Sequence, residues 1–476
     1  MNSGHRVVAT ALGLTILGLW AACGGGTTGG GDEGGGDGTT GTCLPSRGAD
    51  QSLEIVPDAS ATVVVTVEGQ AQNFLSMQDN PFPDRPVHAV AAGACGKAGL
   101  LWRTAEGGLA YRELAPGAGA EETVLESLPG RWMQASLFYD GQCGAVAMVP
   151  ETDGWAEHRR GAGGTWTRTP PPAPAEGAVT GFFPMGAWTD PDGGMHVLGT
   201  ARFGGGAVMG WHGRRSPEPD GAWAFETFDL PRPDGIAAMR VGPDGTVHAL
   251  YTRTESPCDP CNLNLYYGRK APGGSWTEEV VQESRWGDPD DAFATEPALA
   301  LGLDGEPLVA ASWQQRAVTG SLKSSELRLY GRKDGDWCYE TVATEVDGYR
   351  GGDGSRMTGA SPALDIDAQG RVHVAFQDRA QWHDGNGWSN GIPGQIRYAI
   401  RSGKTWTLAT LFRQKGQSEQ ARPLEGMLPS QVAVVPDGSR VFVAGVAFSW
   451  DTNSIYNQGE PGIVLRGTVV GARIGD

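Results

Sequence analysis

No stretch of the 476-residue sequence carries sustained helical periodicity. Helix bundles need apolar positions recurring every three to four residues, so that class is excluded. Cations are also in short supply. Against 55 Asp and Glu stand 37 Lys and Arg, dispersed along the chain, for a formal charge of −18. A surface of that sign disfavours nucleic acid and anionic lipid as general partners. A membrane-spanning run is missing too: the apolar stretch from Val7 to Leu19 is too short to cross a bilayer. What the chain has instead is 74 Gly, 31 Pro and 16 Trp. Short runs of Val, Thr, Tyr and Trp, bounded by Gly, Asp and Pro, read as an all-β protein long enough for a large core.

Residues 1–22 combine a cationic start at Arg6, the apolar run, and the small residues Ala21 and Ala22. That is an export signal. With Cys23 it resembles a bacterial lipobox, although Trp20 stands where that family usually has leucine. The resemblance implies cleavage before Cys23 and a lipid on its sulfur, hence a membrane contact through that anchor. Gly24, where an aspartate would favour the inner membrane, implies the outer membrane of the cell envelope. Acylation by two or more chains holds a protein stably. Residues 23–43 are then the lipidated cysteine and a Gly-rich tether, a composition that packs no core. Residues 44–476 are the folded domain. The other six cysteines, in an exported chain, point to disulfides.

The folded part repeats. The clearest copy, residues 236–282, reads as four short strands. The first ends at Gly242-Pro243-Asp244-Gly245. TVHALYTR, LNLYYGR and SWTEEVV follow. Aspartate-led turns recur at Asp140, Asp192, Asp244, Asp304, Asp367 and Asp437, at intervals of 52 (Asp192 to Asp244) to 70 (Asp367 to Asp437) residues. A weaker counterpart is Ala94-Cys95-Gly96. Fourth strands open on Trp166, Trp223, Trp276, Trp337 and Trp406, with Leu109 standing in that place in the first copy. Four-stranded units at this period are β-propeller blades, about seven of them and six to eight at the limits. The last copy has no clear fourth-strand tryptophan. Either Ala61–Val67 crosses from the other terminus to close it, or TVVGARI completes the blade alone.

At HALYTR, LNLYYGR and GGSWTEEVV the chain resembles bacterial propeller lipoproteins of the sialidase-like and lectin-like kind, over most of residues 80–470. The resemblance speaks for fold and weakly for activity. The S-x-D start of a sialidase Asp-box is absent from APGGSWT, GAGGTWT and KDGDWCY. The D-x-D-x-D-G calcium loop is met only in part, around Asp190–Gly193 and at Asp365 and Asp367, which read as turns. His196, His248 and His373 open second strands of different blades, a packing position rather than one metal site. No metal or other cofactor is expected.

In a four-stranded meander, the loops joining strands two to three and blade to blade share one face. Here those are long, and the turns on the other face are short. Long loops on a rigid scaffold are where binding concentrates. They hold Trp286, Tyr349, Trp382, Trp388 and Trp450. Second strands end at Arg202, Arg253, Arg316 and Arg379, around part of the central mouth. Arginine forks suit carboxylate and sulfate, so one reading is an acidic glycan or other anion. The other is pairing with nearby acids such as Glu255, Asp288, Asp290, Asp291 and Asp378. Cys258 and Cys261 form a C-x-x-C suited to a loop clip, and Cys95 and Cys143 occupy similar turns in neighbouring copies, where they can pair. The expectation is a lipid-anchored binding propeller, for glycan or envelope protein, with no catalytic residue legible. A sialidase-like hydrolase or lyase is the alternative. It would need a tyrosine–glutamate nucleophile pair near the arginines, where Tyr251 is the available tyrosine. A third reading is a structural subunit of an envelope complex.

Overall fold

A computed structural model describes residue 44 and residues 50–475, apart from 67–86, 94, 116–118, 129–134, 152–153, 162, 170–178, 190–192, 204–207, 219–220, 232–235, 255–262, 285–289, 318–321, 345–354, 384–387, 414–423, 436 and 451–462. The described residues contain no helix. They form seven four-stranded antiparallel sheets. In six of these, consecutive strands pair in sequence order: blades 1 to 6 span residues 87–125, 136–169, 179–228, 236–282, 290–344 and 355–412. Blade 7 is composite. Its three inner strands are Leu424–Val434, Arg440–Trp450 and Ile463–Gly475, and its outermost is the N-terminal Glu54–Thr66. The ladder runs from Glu54 opposite Gly475 to Thr66 opposite Arg466. Of the two closures left open by sequence, the N-terminal one holds, and TVVGARI is the third strand. The innermost strands touch in cyclic order, blade 7 against blade 1 included. This is a closed seven-bladed β-propeller.

The aspartate-led turns have one chemistry. The carboxylate oxygen of Asp244 accepts the amide of Thr246 at 2.9 Å, and that of Asp367 accepts Gln369 at 3.0 Å. Asp304 and Asp437 do the same with Glu306 and Ser439. The chain then needs a left-handed residue to rejoin the ladder. Gly245, Gly305, Gly370 and Gly438 supply it, with φ between 67° and 81°. In blade 2 this conformation falls on Cys143, at φ 64°. Cys143 is disulfide-bonded to Cys95 in the corresponding turn of blade 1, as the matching turn positions predict.

Both faces of every blade are buried, so one apolar cluster fills each of the seven gaps between blades. Ala61, Leu100 and Phe442 share the gap between blades 7 and 1, and Leu250, Val309 and Tyr330 that between blades 4 and 5. Fully burying one such side chain contributes about 1.5–3 kcal/mol. The fourth-strand tryptophans plug these gaps, and the outer rim adds a polar clasp. The indole N–H of Trp166 donates to Glu122 of the preceding blade, to which Arg160 also binds. Trp223 and Arg215 hold Glu157 in the same way. So do Trp337 and Arg332 with Glu279, and Trp406 and Arg401 with Glu340. Blade 1 departs from the sequence expectation. Leu109 opens its third strand, Leu109–Ala115, and the fourth is the short Glu122–Leu125. Trp102, on the second strand of blade 1, fills the gap towards blade 7 instead.

The segment leading into Glu54 is a belt on the short-turn side. Leu44 is 3% exposed, its amide donates to Glu340 and its carbonyl accepts from Arg401. Asp50 caps the amide of Lys404, in the turn between the third and fourth strands of blade 6. Leu53 donates to the Thr407 hydroxyl. One short stretch thereby ties blades 5 and 6 to the strand that closes blade 7.

Candidate functional site at the long-loop face

The two faces differ in height as well as loop length. At the short-turn end the blades are level: Val241 pairs with Val247, Leu301 with Pro307, and Ile366 with Val372. At the other end they are not. The innermost strand is 6, 4 and 6 residues in blades 1, 2 and 4 but 11 in blades 3 and 7 and 12 in blades 5 and 6, and the third strand of blade 6 reaches 15. Six extra residues at a rise of about 3.3 Å raise a wall of roughly 20 Å. Among the described residues, blades 5, 6 and 7, like blade 3, therefore stand above blades 1, 2 and 4, and the longest continuous wall runs along blades 5 to 7.

The backbone places several of the aromatic residues singled out in sequence on that wall. Trp382 pairs with Ser389 and Trp388 with His383, at the tip of one blade 6 hairpin. Trp450 pairs with Leu424 and Ile463 at the top of blade 7. Their side chains lie outside the described residues, as do Trp286, Tyr349, Cys258, Cys261 and Cys23 altogether. The backbone of Arg316 pairs with Asp291, and that of Arg379 with Met357.

Two of the four arginines have described side chains. Arg202 is half-buried, near the end of its strand. The guanidinium of Arg253 lies 3.9 Å above the Tyr266 ring and donates to Glu278 at 3.2 Å. Its carboxylate partner is thus on the fourth strand of its own blade. Blades 5 and 6 repeat the theme from positions that local sequence reading did not single out. Arg328 is sandwiched 4.3 Å from Trp313 and 4.1 Å from Tyr339, with Glu326 at 2.9 Å. Arg397 lies 5.3 Å over Phe376 and 3.7 Å from Asp378. Aligning the third strands on their following arginines (Arg332, Arg401) would have matched these two positions.

Asp378 is 1% exposed. Burial pushes its carboxyl up, and Arg397 and Gln395 oppose that shift. Nearby, the innermost strands of blades 5 and 6 both break register. Glu296 and Ser361 each precede a proline and adopt φ of 51° and 45°, and Gly359 takes 83°. L-residues adopt such angles only when the surroundings impose them, and bulges of this kind re-aim side chains at rims and sites. The Glu296 carboxylate receives the Ser361 amide and, at 3.2 Å, its hydroxyl. Ser312, Ser325 and Thr358 bond to one another just behind. A polar, strained patch therefore lies at the foot of the wall.

The remaining candidates are internal. Tyr251 is fully buried inside blade 4, stacked 5.8 Å from Tyr266, and is not open to a ligand. His248 and His373 bond through Nδ1 to Tyr267 and Tyr398, both at 2.5 Å, and His196 bonds to His212 at 2.9 Å. All three partners lie on third strands. Among the described residues no group of three or more His, Cys, Asp or Glu is placed to hold a metal ion.

No family model matches the chain, and no curated protein does. Among solved structures, a PL25 polysaccharide lyase, an ulvan lyase, is similar at 9% identity and TM-score 0.39, over 81% of this chain and 94% of its own. The GH93 α-L-arabinofuranosidase of Fusarium graminearum, solved with arabinobiose, is similar at 11% and 0.34, over 70% and 91%. A subtype N11 neuraminidase-like protein from a flat-faced bat isolate is similar at 9% and 0.36, over 91% and 97%. Likeness at this level carries no argument about a site.

Proposed function

We propose that the protein is an exported, lipid-anchored propeller that binds a glycan in the step between the low blades 1 and 2 and the wall of blades 5 to 7. The observation that carries this reading is the one-sided lengthening of the strands. Extending three adjacent blades by several residues adds nothing to ring closure, and it builds a concave surface on the loop-bearing face, the shape ligand sites favour. Trp382, Trp388 and Trp450 sit on the lengthened strands by register, and aromatic rings suit sugar faces. Arg202, Arg316 and Arg379 extend the reading to acidic glycans.

The detergent-solubilised full chain on a glycan array tests this. Retention of acidic polysaccharides, lost at least tenfold in Trp382→Ala/Trp388→Ala, is the expected result. No retained glycan, or retention untouched by these changes, overturns the proposal. One observation favours a second reading, a glycan-cleaving enzyme: a buried carboxyl raised by its surroundings, Asp378, beside two strained bulges. New reducing ends or unsaturated uronate absorbance on incubation with acidic polysaccharides would establish it.

A further inference from the structure

We propose that Cys338 is joined by a disulfide to Cys43, so that the Gly-rich N-terminal segment leaves the propeller from its short-turn side, between blades 5 and 6. The long-loop face then points away from the membrane. The second statement rests on the lipid anchoring at Cys23 proposed above; the first does not.

Cys338 is disulfide-bonded, and Cys95 and Cys143 are joined to each other. The remaining cysteines are Cys23, Cys43, Cys258 and Cys261. Bonded cysteines have Cα atoms within about 7 Å. Cys338 pairs with Gly331, beside the turn at Asp334 and Gly335, and its sulfur lies 3.7 Å from the Gly331 carbonyl. Cys258 and Cys261 sit between Thr254 and Leu263, at the opposite end of blade 4. Six residues of strand separate the two levels, or about 20 Å. Leu44 is on the spot. It packs among Leu329, Val342 and Cys338, and a Cβ on Gly331 would come 2.1 Å from its Cδ2. Gly331 is thus the floor of a seat for Leu44. The Cα of Cys43 is about 3.8 Å from that of Leu44. Cys23 is separated by twenty further residues, and under the anchoring reading its sulfur is already a thioether.

Forming the bond removes two electrons and two protons from the two thiols. A protein disulfide of an oxidising export compartment accepts them and becomes a dithiol. The belt fixes the side of exit. From Leu44 the chain passes Lys404, in a short turn, and enters the closing strand at Glu54, opposite Gly475. The rest of the tether is a coil of about 20 residues with an end-to-end distance of roughly 25 Å. The short-turn face is therefore the one held nearest the lipid.

Proteolytic mapping of the oxidised full chain is expected to give the tryptic segment ending at Arg47 linked to the segment from Asp334 to Arg350, separated by reductant, with fragment-ion masses placing the link at Cys43 rather than at Cys23 of the same segment. Cys338 found as a thiol, or linked to the peptide carrying Cys258 and Cys261 or to Cys23, overturns the disulfide. For orientation, the full chain is placed on phosphatidylethanolamine–phosphatidylglycerol vesicles with a fluorophore at Leu303→Cys or Glu283→Cys. These exposed positions lie on the short-turn and long-loop sides. Nitroxide lipids are expected to quench Leu303→Cys at least twofold more strongly. Equal or reversed quenching overturns the orientation and leaves the anchor standing. A chain whose N-terminal peptide carries no acyl mass and does not associate with vesicles overturns the anchor and the orientation, and leaves the disulfide standing.

Discussion

Glu340 is the most heavily used carboxylate on the rim. It receives Arg401 through both oxygens at 3.0 Å, the Trp406 indole at 3.3 Å and the Leu44 amide at 3.2 Å. The Arg401 side chain is 4% exposed and that of Glu340 15%. Glu340→Ala would strand a buried guanidinium. Removing one partner of a buried pair costs about 3–5 kcal/mol, because the remaining charge stays desolvated. The residual exposure of Glu340 argues for the lower half, about 3–4 kcal/mol. Unfolding entropy is roughly 2.1 cal/mol/K per residue, so a domain of this length melting in one transition should lose about 4 °C. Glu340→Gln keeps a carbonyl oxygen for one donor but loses the charge, and should fall between. The comparison is Lys97→Ala, which breaks the 4.0 Å contact to Glu113 from a lysine 40% exposed. That pair should be worth under about 1 kcal/mol. Differential scanning calorimetry reads the melting shifts, and limited trypsinolysis at Arg47 reads the belt, which should open faster in Glu340→Ala because both backbone bonds of Leu44 run through this clasp. If Glu340→Ala melts within a degree of Lys97→Ala, the clasp is ornamental and the reasoning fails.

Breaking the disulfide between the turns of blades 1 and 2, as Cys95→Ala/Cys143→Ala, removes a loop of 48 residues from the unfolded ensemble's constraints. Stability should fall by up to about 4 kcal/mol, and an unchanged denaturation midpoint would count against it. His88 makes a pH prediction. Its Nδ1 accepts the Ala135 amide at 2.9 Å, and burial drives its pKa from 6.5 down to about 3. The unfolded chain takes this proton below pH 6.5 and the folded one does not, so the contribution is whole above 6.5 and drains away towards pH 3. His88→Gln should therefore lose about 2.5 kcal/mol less than the native chain between pH 6.5 and 4.5; equal slopes in pH-dependent denaturation would refute the assignment. Finally, a chain starting at residue 67 leaves Ile463–Gly475 as an open edge. It should aggregate, and a peptide of residues 50–67 added in trans should restore its near-UV circular dichroism; a stable monomer without the peptide would sink the closure argument.

Blade number, turn positions and the disulfide between Cys95 and Cys143 were legible because each rests on local chemistry that repeats. Aspartate and glycine recur where the chain must reverse, and tryptophan recurs where the gap to the preceding blade must be filled. Leu109 misled for the same reason. In blade 1 the filler is Trp102, from the second strand, so the fourth strand, Glu122–Leu125, carries no tryptophan to mark it. The clasp glutamates left no local trace: Glu122, Glu157, Glu279 and Glu340 lie 44 to 66 residues from the indoles that they bind. Arg253 shows the limit at the site. Sequence proximity pointed to loop acids such as Glu255, whereas pairing across the sheet brings Glu278 to its guanidinium. The step in the long-loop face was only half visible, as long loops, because in sequence the lengthened strands look like the loops that they replace.

The N-terminal segment carries two duties that pull against each other. It closes the ring through a single edge strand, and in the proposed topology it is also the line by which the domain hangs from the membrane. Tension applied at residue 44 would first lift the belt and then reach the closing ladder at Glu54, its short-turn end. Load at the end of an antiparallel ladder opens it pair by pair, so few bonds resist at any moment. Unfolding under force follows the rate of the weakest such step. A covalent link between Cys43 and Cys338 moves the point of load to the fourth strand of blade 5, ahead of the belt. The strand that closes the ring then bears none of the tension, which gives a physical reason for a cysteine to sit at the last residue of the tether.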